Sequence, residues 1–496
     1  MTPEAPTGAS PLEDWGRVHL IGAGGAGMSA IAALLAARGV VVSGSDARDS
    51  VALAAVRGSG VRTWVGHDAS HVDGADVVVV SSAVRESNPE LVRARALGLT
   101  VVHRSRALAA LMAGRTAVAV AGAHGKTTTS AMTAVILTVA GLDPSYAIGG
   151  TVLGVTGPGA SLVGGARNGT GSVFVAEADE SDGSFLAYSP TVAVVTNVEA
   201  DHLDHYGSLA AFEAVFVEFT ERIVDGGWLI ACADDAGARR LVDTVHPALS
   251  SRGVHVVTYG TGGPPIGADA HVTISDYAAL GDGARAVLRT SADASWFPAT
   301  SVDIELAVPG VHNVANAAAA WIAAVLLGVE PTVAADGAAS FHGTGRRFED
   351  RGSADGVRVV DDYAHHPTEV AALLRAARSV VGGGRVLVLF QPHLFSRTRV
   401  FARDFAEALA LADLAVVTGV YGAREDPEPG VTGALIVDAM AGSGEYVVDR
   451  VEAARRIARA ARSGDLVLTV GAGDVTELAP VVLAELARRA DDRGPA

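Results

Sequence analysis

The stretch Ala121–Thr129, AGAHGKTTT, limits the possible folds more than any other part of the chain. The run before it, Thr116–Ala121, is apolar and partly β-branched, and reads as a buried strand. The run after it, Thr127–Ala140, reads as a helix. A turn of small residues between strand and helix aims backbone N–H groups and a helix N-terminus at one point, and that point attracts phosphate. Lys126 adds a full positive charge, and Thr127 offers a hydroxyl that can hold Mg²⁺. The loop is a shortened form: Val120 stands where the longer phosphate-loop motif has glycine. A glycine-rich turn with a surface lysine is the plain alternative. Against it, Lys126 is the only lysine in the chain, and every other basic residue is Arg or His.

A chain of 496 residues is too long for one core, and about three domains is the expectation. Hydrophobic residues make up 49%, which suits packed globular domains. The net charge of -17, with no long run of Lys or Arg, argues against nucleic acid, whose backbone needs a basic surface. The single cysteine, Cys232, excludes an internal disulfide and reads as a core residue. Met1–Asp14 lacks the apolar centre of a signal peptide, and Met1–Pro11 reads as disordered. Apolar runs such as Val314–Val329 are too short and interrupted to span a bilayer. The expectation is a cytoplasmic protein with no membrane insertion.

Three α/β segments follow one another. In the first, a strand at Arg17–Ile21 leads into Gly22-Ala-Gly-Gly-Ala-Gly27 and a helix, and a second strand ends near Ser45 and Asp46. This is the layout of a nucleotide-binding βαβ unit, with the acidic residue at the expected distance. Further strands at Val77–Val80 and near Val101 complete it, with Ser81 and Ser82 after the former. In the second segment, Val173–Ala176 delivers Glu177, Asp179, Glu180 and Asp182, while Val192–Thr196 delivers Asn197, Glu199, Asp201 and His202. Acids at strand C-termini beside a phosphate loop lie where open α/β sheets bind ligands. A solvated acidic loop is the alternative. Short strands at Ala286–Thr290 and Ser301–Ala307 and an Ala-rich helix at His312–Leu327 follow. In the third segment, a strand at Val357–Val360 ends in Asp361, Asp362, Tyr363, His365 and His366, and Pro367 opens a helix. A strand at Arg385–Phe390 ends in Gln391, His393, Ser396 and Arg397, and Leu466–Val470 is a late strand.

These segments make different chemical demands. The first supplies amides and one acid, suited to a diphosphate and a ribose. The second supplies a lysine, a hydroxyl, carboxylates and a histidine, suited to ATP with a divalent metal. The third supplies His and Arg at strand ends, suited to a small carboxylate-bearing molecule. A nicotinamide-dependent oxidoreductase would need only the first, and a kinase or ATPase motor only the second. An ATP-driven ligase acting on a nucleotide-linked substrate would use all three.

At this point the residues carry a resemblance to the Mur ligase family. It rests on GAGGAGMS (Gly22–Ser29), GAHGKTTT (Gly122–Thr129), EADESDGSF (Glu177–Phe185), TNVEADHLDHY (Thr196–Tyr206), HNVANAAAA (His312–Ala320), RRF (Arg346–Phe348), DDYAHHPTE (Asp361–Glu369) and FQPHLFSRTR (Phe390–Arg399). The resemblance implies three α/β domains. Residues 1–113 would be a Rossmann-like UDP-sugar domain, 114–343 a central P-loop ATPase-like domain, and 344–496 a Rossmann-like domain for the amino acid that closes over ATP. It implies ligation of L-alanine to the lactyl carboxylate of UDP-N-acetylmuramate through an acyl phosphate, with ATP and Mg²⁺, and Mn²⁺ as a substitute.

By the same resemblance, Gly22, Gly24, Gly25, Gly27, Asp46, His67 and Ser82 would meet the UDP-sugar. Gly122, Ala123, His124, Gly125, Lys126, Thr127, Thr128, Asn313, Asn316, Arg347 and Asp362 would meet ATP, with Lys126 and His202 catalytic. Thr127, Glu177 and His202 would hold metal, and Tyr363, His365, His393 and Arg397 would receive the amino acid. Members of the family often carry Arg after the QPH histidine, where this chain has Leu394. A ligase that attaches a preformed tripeptide to the same sugar nucleotide, an oxidoreductase on Gly22–Asp46, and a non-catalytic nucleotide sensor remain as alternatives. The expected assembly is a monomer or homodimer.

Overall fold

Runs of Val, Ile and Ala bounded by glycines become buried parallel strands, and the Ala- and Leu-rich stretches between them become the covering helices. The computed structural model describes residues 12–154, 163, 165–290, 296–423, 425–440, 442 and 444–493. The expectation for Met1–Pro11 lies outside them. The described residues form three sheets, of five, ten and six strands, the mixed α/β architecture expected.

The five-stranded sheet is wholly parallel, in the order Arg62–Val65, Val41–Asp46, Arg17–Ile21, Val77–Val80, Thr100–His103. Chain order reverses between Arg17–Ile21 and Val77–Val80, so a crevice opens between their C-terminal ends. The glycine loop leaves one of these strands, and Ser81 and Ser82 leave the other.

In the ten-stranded sheet, Thr116–Ala121 pairs with Val173–Glu177 on one side and Val192–Val195 on the other, both parallel. The phosphate loop therefore leaves its strand at a second reversal point, with the two acidic segments on either side. The sheet continues through Trp228–Cys232, His255–Gly260, Ala270–Leu280, Gly283–Thr290 and Ser301–Leu306. Cys232 ends one of these strands, and burial pushes its thiol up to about 11. In the six-stranded sheet, Leu466–Val470 lies between Val357–Asp362 and Val386–Phe390, all parallel, and Glu349–Ala354 is an antiparallel edge.

The chain divides into two compact units. The first holds residues 1–276, 286–305 and 315–341, and the second holds 277–285, 306–314 and 342–496. The segments expected as the first two domains thus fall largely in the first unit. Among the described residues no helix is long and apolar enough to cross a membrane.

Candidate active site

In the first unit, the strand Thr116–Ala121 and the helix Lys126–Val139 meet at the glycine turn. Gly125 caps the helix at φ +81°, and a Cβ there would lie 2.7 Å from Asn316 Oδ1, so both the backbone and the space require glycine. Asn316 Oδ1 also accepts from Thr129 Oγ1 at 3.2 Å, which brings one of the expected ATP residues onto the loop. The His124 backbone N–H donates to Asn197 Oδ1 at 2.9 Å, and its Nε2 lies 3.1 Å from Glu199. Thr127 and Thr128 are buried in the first helical turn.

Lys126 Nζ donates to Glu180 Oε1 at 2.9 Å and to the Gly122 carbonyl at 2.6 Å. Burial works against its charge, but Glu180, Asp179 and Glu177 outweigh that and raise the amine above its ordinary value. It is a firm cation. Glu180 itself is fully buried. The sequence reading gives Glu177 a place at the metal and no partner to the lysine. The structure brings Glu180, from the same acidic run, to Lys126.

Glu177 accepts from the Gly149 N–H at 2.8 Å. His202 has its backbone at φ +52°, in the left-handed region. Its Nε2 lies 3.6 Å from both Glu180 and Asp201. Two buried atoms, Glu180 Oε2 and His202 Nδ1, have no hydrogen-bond partner. Uncompensated polar atoms in a buried acidic setting suit a cation, and the carboxylate and hydroxyl oxygens here suit a hard one.

On the same unit, the glycine loop is braced from behind. The Gly24 N–H donates to Asp46 Oδ2 at 2.9 Å, and Gly22 N–H to the Ser45 carbonyl at 2.8 Å. Asp46 also accepts from the Arg48 N–H at 3.2 Å, so its carboxylate shapes the loop. Ser82 is exposed and His67 half-buried. Arg104, absent from the sequence reading, pairs with Asp179, and a Cβ on Gly27 would lie 2.9 Å from its Nη1.

The second unit has its own cluster at the strand ends. The Asp362 carboxylate accepts from the Phe348 and Ala364 N–H groups, each at 2.8 Å. Burial raises its carboxyl to about 6 despite the nearby Arg347. The Arg346 and Arg347 guanidinium carbons lie 4.8 and 5.2 Å from the centre of the Tyr363 ring. His365 lies 3.2 Å from Glu369 and 5.8 Å, ring to ring, from His393. His393 in turn stacks on Tyr421 at 5.8 Å. Tyr421 was missed, because it lies far along the chain and carries no motif. Arg397 is buried in the helix Phe395–Leu409. Leu394 caps that helix at φ +69°, an uncommon conformation for a leucine. Asn313 donates to the Pro309 carbonyl at 2.8 Å.

Comparison with known families matches residues 17–116 to "Mur ligase family, catalytic domain", 120–324 to "Mur ligase middle domain" and 346–473 to "Mur ligase, glutamate ligase domain". The chain is 57% identical over 492 residues to UDP-N-acetylmuramate–L-alanine ligase of Kineococcus radiotolerans, covering 98% of this chain and 99% of that protein. It is 52% identical to the enzyme of the same name from Paenarthrobacter aurescens, over 97% of this chain and 99% of that one. Among solved structures, the UDP-N-acetylmuramate-alanine ligase of Thermotoga maritima superposes with a TM-score of 0.76 at 28% identity, over 96% of this chain and 99% of that one. A murein peptide ligase of Psychrobacter arcticus gives 0.69 at 25% identity, over 95% and 98%.

Proposed function

The chain belongs to the Mur ligase family, and from that premise we propose that it joins L-alanine to the lactyl carboxylate of UDP-N-acetylmuramate at the expense of ATP, in peptidoglycan precursor synthesis. The observation that carries the reading is the phosphate loop. The chain's only lysine opens the helix, held against Glu180 and flanked by the acids of two adjacent strands. The oxidoreductase alternative leaves that arrangement without a use.

The domain division we propose is 1–113 for the UDP-sugar, 114–343 for ATP, and 344–496 for the amino acid. The Gly22–Gly27 loop, Asp46, His67 and Ser82 serve the UDP-sugar, with Asp46 acting through the loop it braces. Gly122–Thr128 and Asn316, with Asn313, Arg347 and Asp362, serve ATP. Tyr363, His365, His393 and Arg397 serve L-alanine. As nucleotides and their sugars are cytoplasmic substrates, we place the protein in the cytoplasm.

The lactyl carboxylate attacks the γ-phosphorus of ATP, forming an acyl phosphate and releasing ADP. The alanine amine then attacks the acyl carbon, and phosphate leaves with its electron pair. The first step brings two anions together. Lys126 neutralises charge growing on the transferred phosphoryl group, and the loop amides do the same from the helix N-terminus. Thr127, Glu177 and His202 would hold Mg²⁺, which supplies further charge neutralisation at the phosphates.

The test is phosphate release with UDP-N-acetylmuramate, ATP and, in turn, L-Ala, Gly, L-Ser and a tripeptide. Turnover with L-Ala is expected. Preference for the tripeptide would transfer the chain to the recycling branch of the family.

A further inference from the structure

Glu90 is the second residue of the helix Pro89–Ala96, yet its side chain is wholly buried. It collects polar groups from three neighbouring strands of the five-stranded sheet. His19 comes from Arg17–Ile21, Ser45 from Val41–Asp46, and His67 and His71 from the turn after Arg62–Val65. Ser45 Oγ donates to Glu90 Oε2 at 2.5 Å. His71 Nδ1 lies 2.6 Å from Oε1, and His19 Nε2 lies 3.6 Å from Oε2. Burial would push this carboxyl up, but the nearby His19 and the hydrogen bonds from Ser45 and His71 bring it down to about 2, so it is a permanent acceptor.

The bonding around His67 leaves one choice of proton position. Its Nδ1 faces two atoms, Glu90 Oε2 at 3.2 Å and Ser45 Oγ at 3.0 Å. A carboxylate cannot donate, and the one hydroxyl proton of Ser45 is already committed to Glu90. Both atoms are therefore acceptors, and Nδ1 carries the hydrogen. In the neutral ring Nε2 is then a bare lone pair on the far edge from Glu90. The ring keeps 24% of its surface exposed, so that edge can meet a ligand. His71 is fixed in the same way and stacks on Trp64, with ring centres 4.5 Å apart.

Resting on the placement of the UDP moiety near His67, we propose that Glu90 is a positioning residue. It locks His67 as the Nδ1–H tautomer, so that Nε2 accepts from the imide N–H of uracil and rejects cytosine, whose corresponding nitrogen is itself an acceptor. The selection follows from the second partner of a histidine fixing what the first can do, as outer residues do for metal-bound imidazoles. A mismatch of two acceptors leaves both lone pairs unpaired, which costs at least about tenfold in affinity.

The test uses the full chain. Long-range proton–nitrogen NMR at about pH 8.5, above the ordinary imidazole range, reads the tautomer directly, with His67→Ala assigning the signal. An Nδ1–H pattern is expected for His67, and an Nε2–H pattern overturns the proposal. UDP and CDP are titrated in parallel. Wild type should bind UDP at least about tenfold more tightly, and Glu90→Gln should bring the ratio towards one with ATP affinity unchanged. Equal binding by wild type overturns the proposal. Both wild-type readouts stand even where Glu90→Gln fails to fold. Unchanged UDP affinity in His67→Ala would instead refute the placement of the nucleotide, while UDP loss with an Nε2–H signal would refute the tautomer lock alone.

Discussion

Lys126 Nζ donates to Glu180 Oε1 at 2.9 Å, so the chain's only lysine is held by a carboxylate with no exposed surface. The pair keeps the ammonium charged and aimed across the mouth of its own loop. Lys126→Ala should lower kcat by about 10²–10³-fold, the usual loss for a donor that stabilises transferred charge. UDP-N-acetylmuramate affinity should be almost unchanged, because the glycine loop proposed to serve it belongs to another sheet. The single variant also strands a buried carboxylate. Lys126→Ala with Glu180→Gln should therefore recover thermal stability but no activity. Equal loss of UDP-sugar affinity would show that the division of labour is wrong.

Arg104 and Asp179 form a further ion pair in this unit. Arg104 opens the helix Arg104–Met112, where a cation opposes the helix dipole, so Asp179 offsets an unfavourable placement. Burial opposes the Asp179 charge, yet Arg104 and Lys126 hold its carboxyl well below the ordinary range. Its side chain keeps 36% of its surface, so solvent screens the pair. Arg104→Ala should cost about 1–2 kcal/mol. Because Arg104 lies against Gly27, it should also raise the KM for UDP-N-acetylmuramate more than that for ATP. A melting temperature and both KM values equal to wild type would leave the contact without a role.

His312 and Asp362 of the second unit give opposite pH dependences. Burial, with the Arg347 charge added, lowers the His312 imidazole to about 4, while burial raises the Asp362 carboxyl to about 6. Between about pH 4 and 6 the folded chain holds a proton on Asp362 that the unfolded chain has released, so this group's stability is lost as pH rises. Between about pH 4 and 6.5 the unfolded chain holds a proton on His312 that the folded chain lacks, so this group's contribution grows as pH rises. Each amounts to up to about 3 kcal/mol, and together they nearly cancel. Asp362→Asn should melt at lower temperature as pH falls through this window, and His312→Gln at higher temperature. Melting curves of the two variants that shift in the same direction would contradict this.

The phosphate loop was legible because its signals are local: a strand, a glycine turn, a lysine and a helix within one short run. The same holds for the glycine loop and for the acids after the two strands flanking Thr116–Ala121. What the sequence left hidden depends on how loops fold back. After Glu177 the chain is pinned by the Ala178 N–H on the Val120 carbonyl, then turns so that the Gly183 N–H meets the Glu180 carbonyl. That turn, which no periodicity encodes, carries Glu180 to Lys126. The Glu90 cluster was hidden for a related reason, since His19, Ser45, His67 and His71 meet only once three strands are side by side. Asp46 was legible by spacing, while its bond to the Gly24 amide was not. Left-handed backbone at His202, Arg346, Phe348 and Leu394 lies within the motifs that carry the family resemblance, and no periodicity encodes it.

His202 gives the metal prediction. Imidazole suits Mn²⁺ better than it suits Mg²⁺, so wild type should work well with either ion. His202→Ala should lower the tolerance for Mn²⁺ or raise the metal concentration needed for half activity. A metal profile equal to wild type would return His202 to a structural role beside Glu180 and Asp201.

A lysine amine can take up CO₂ and become a carbamate, which is an oxygen ligand for a metal. That reaction needs a neutral, accessible amine. This chain has one lysine, and its Nζ is committed to Glu180 and to the Gly122 and Ala123 carbonyls. Burial disfavours its charge, but the surrounding carboxylates of Glu180, Asp179 and Glu177 keep the amine protonated above its ordinary range, so the reactive neutral form is scarce. Carbamylation would also put a negative charge at the proposed site of the ATP phosphates, reversing the electrostatics on which the proposed first step depends. Metal must then be held by ordinary side chains, with Thr127, Glu177 and His202 as the proposed set. Activity should be indifferent to bicarbonate. Dialysis into CO₂-free buffer, followed by phosphate-release assays with and without added bicarbonate, measures this directly. Activity that falls on dialysis and returns with bicarbonate would remove both this argument and the assignment of the metal ligands.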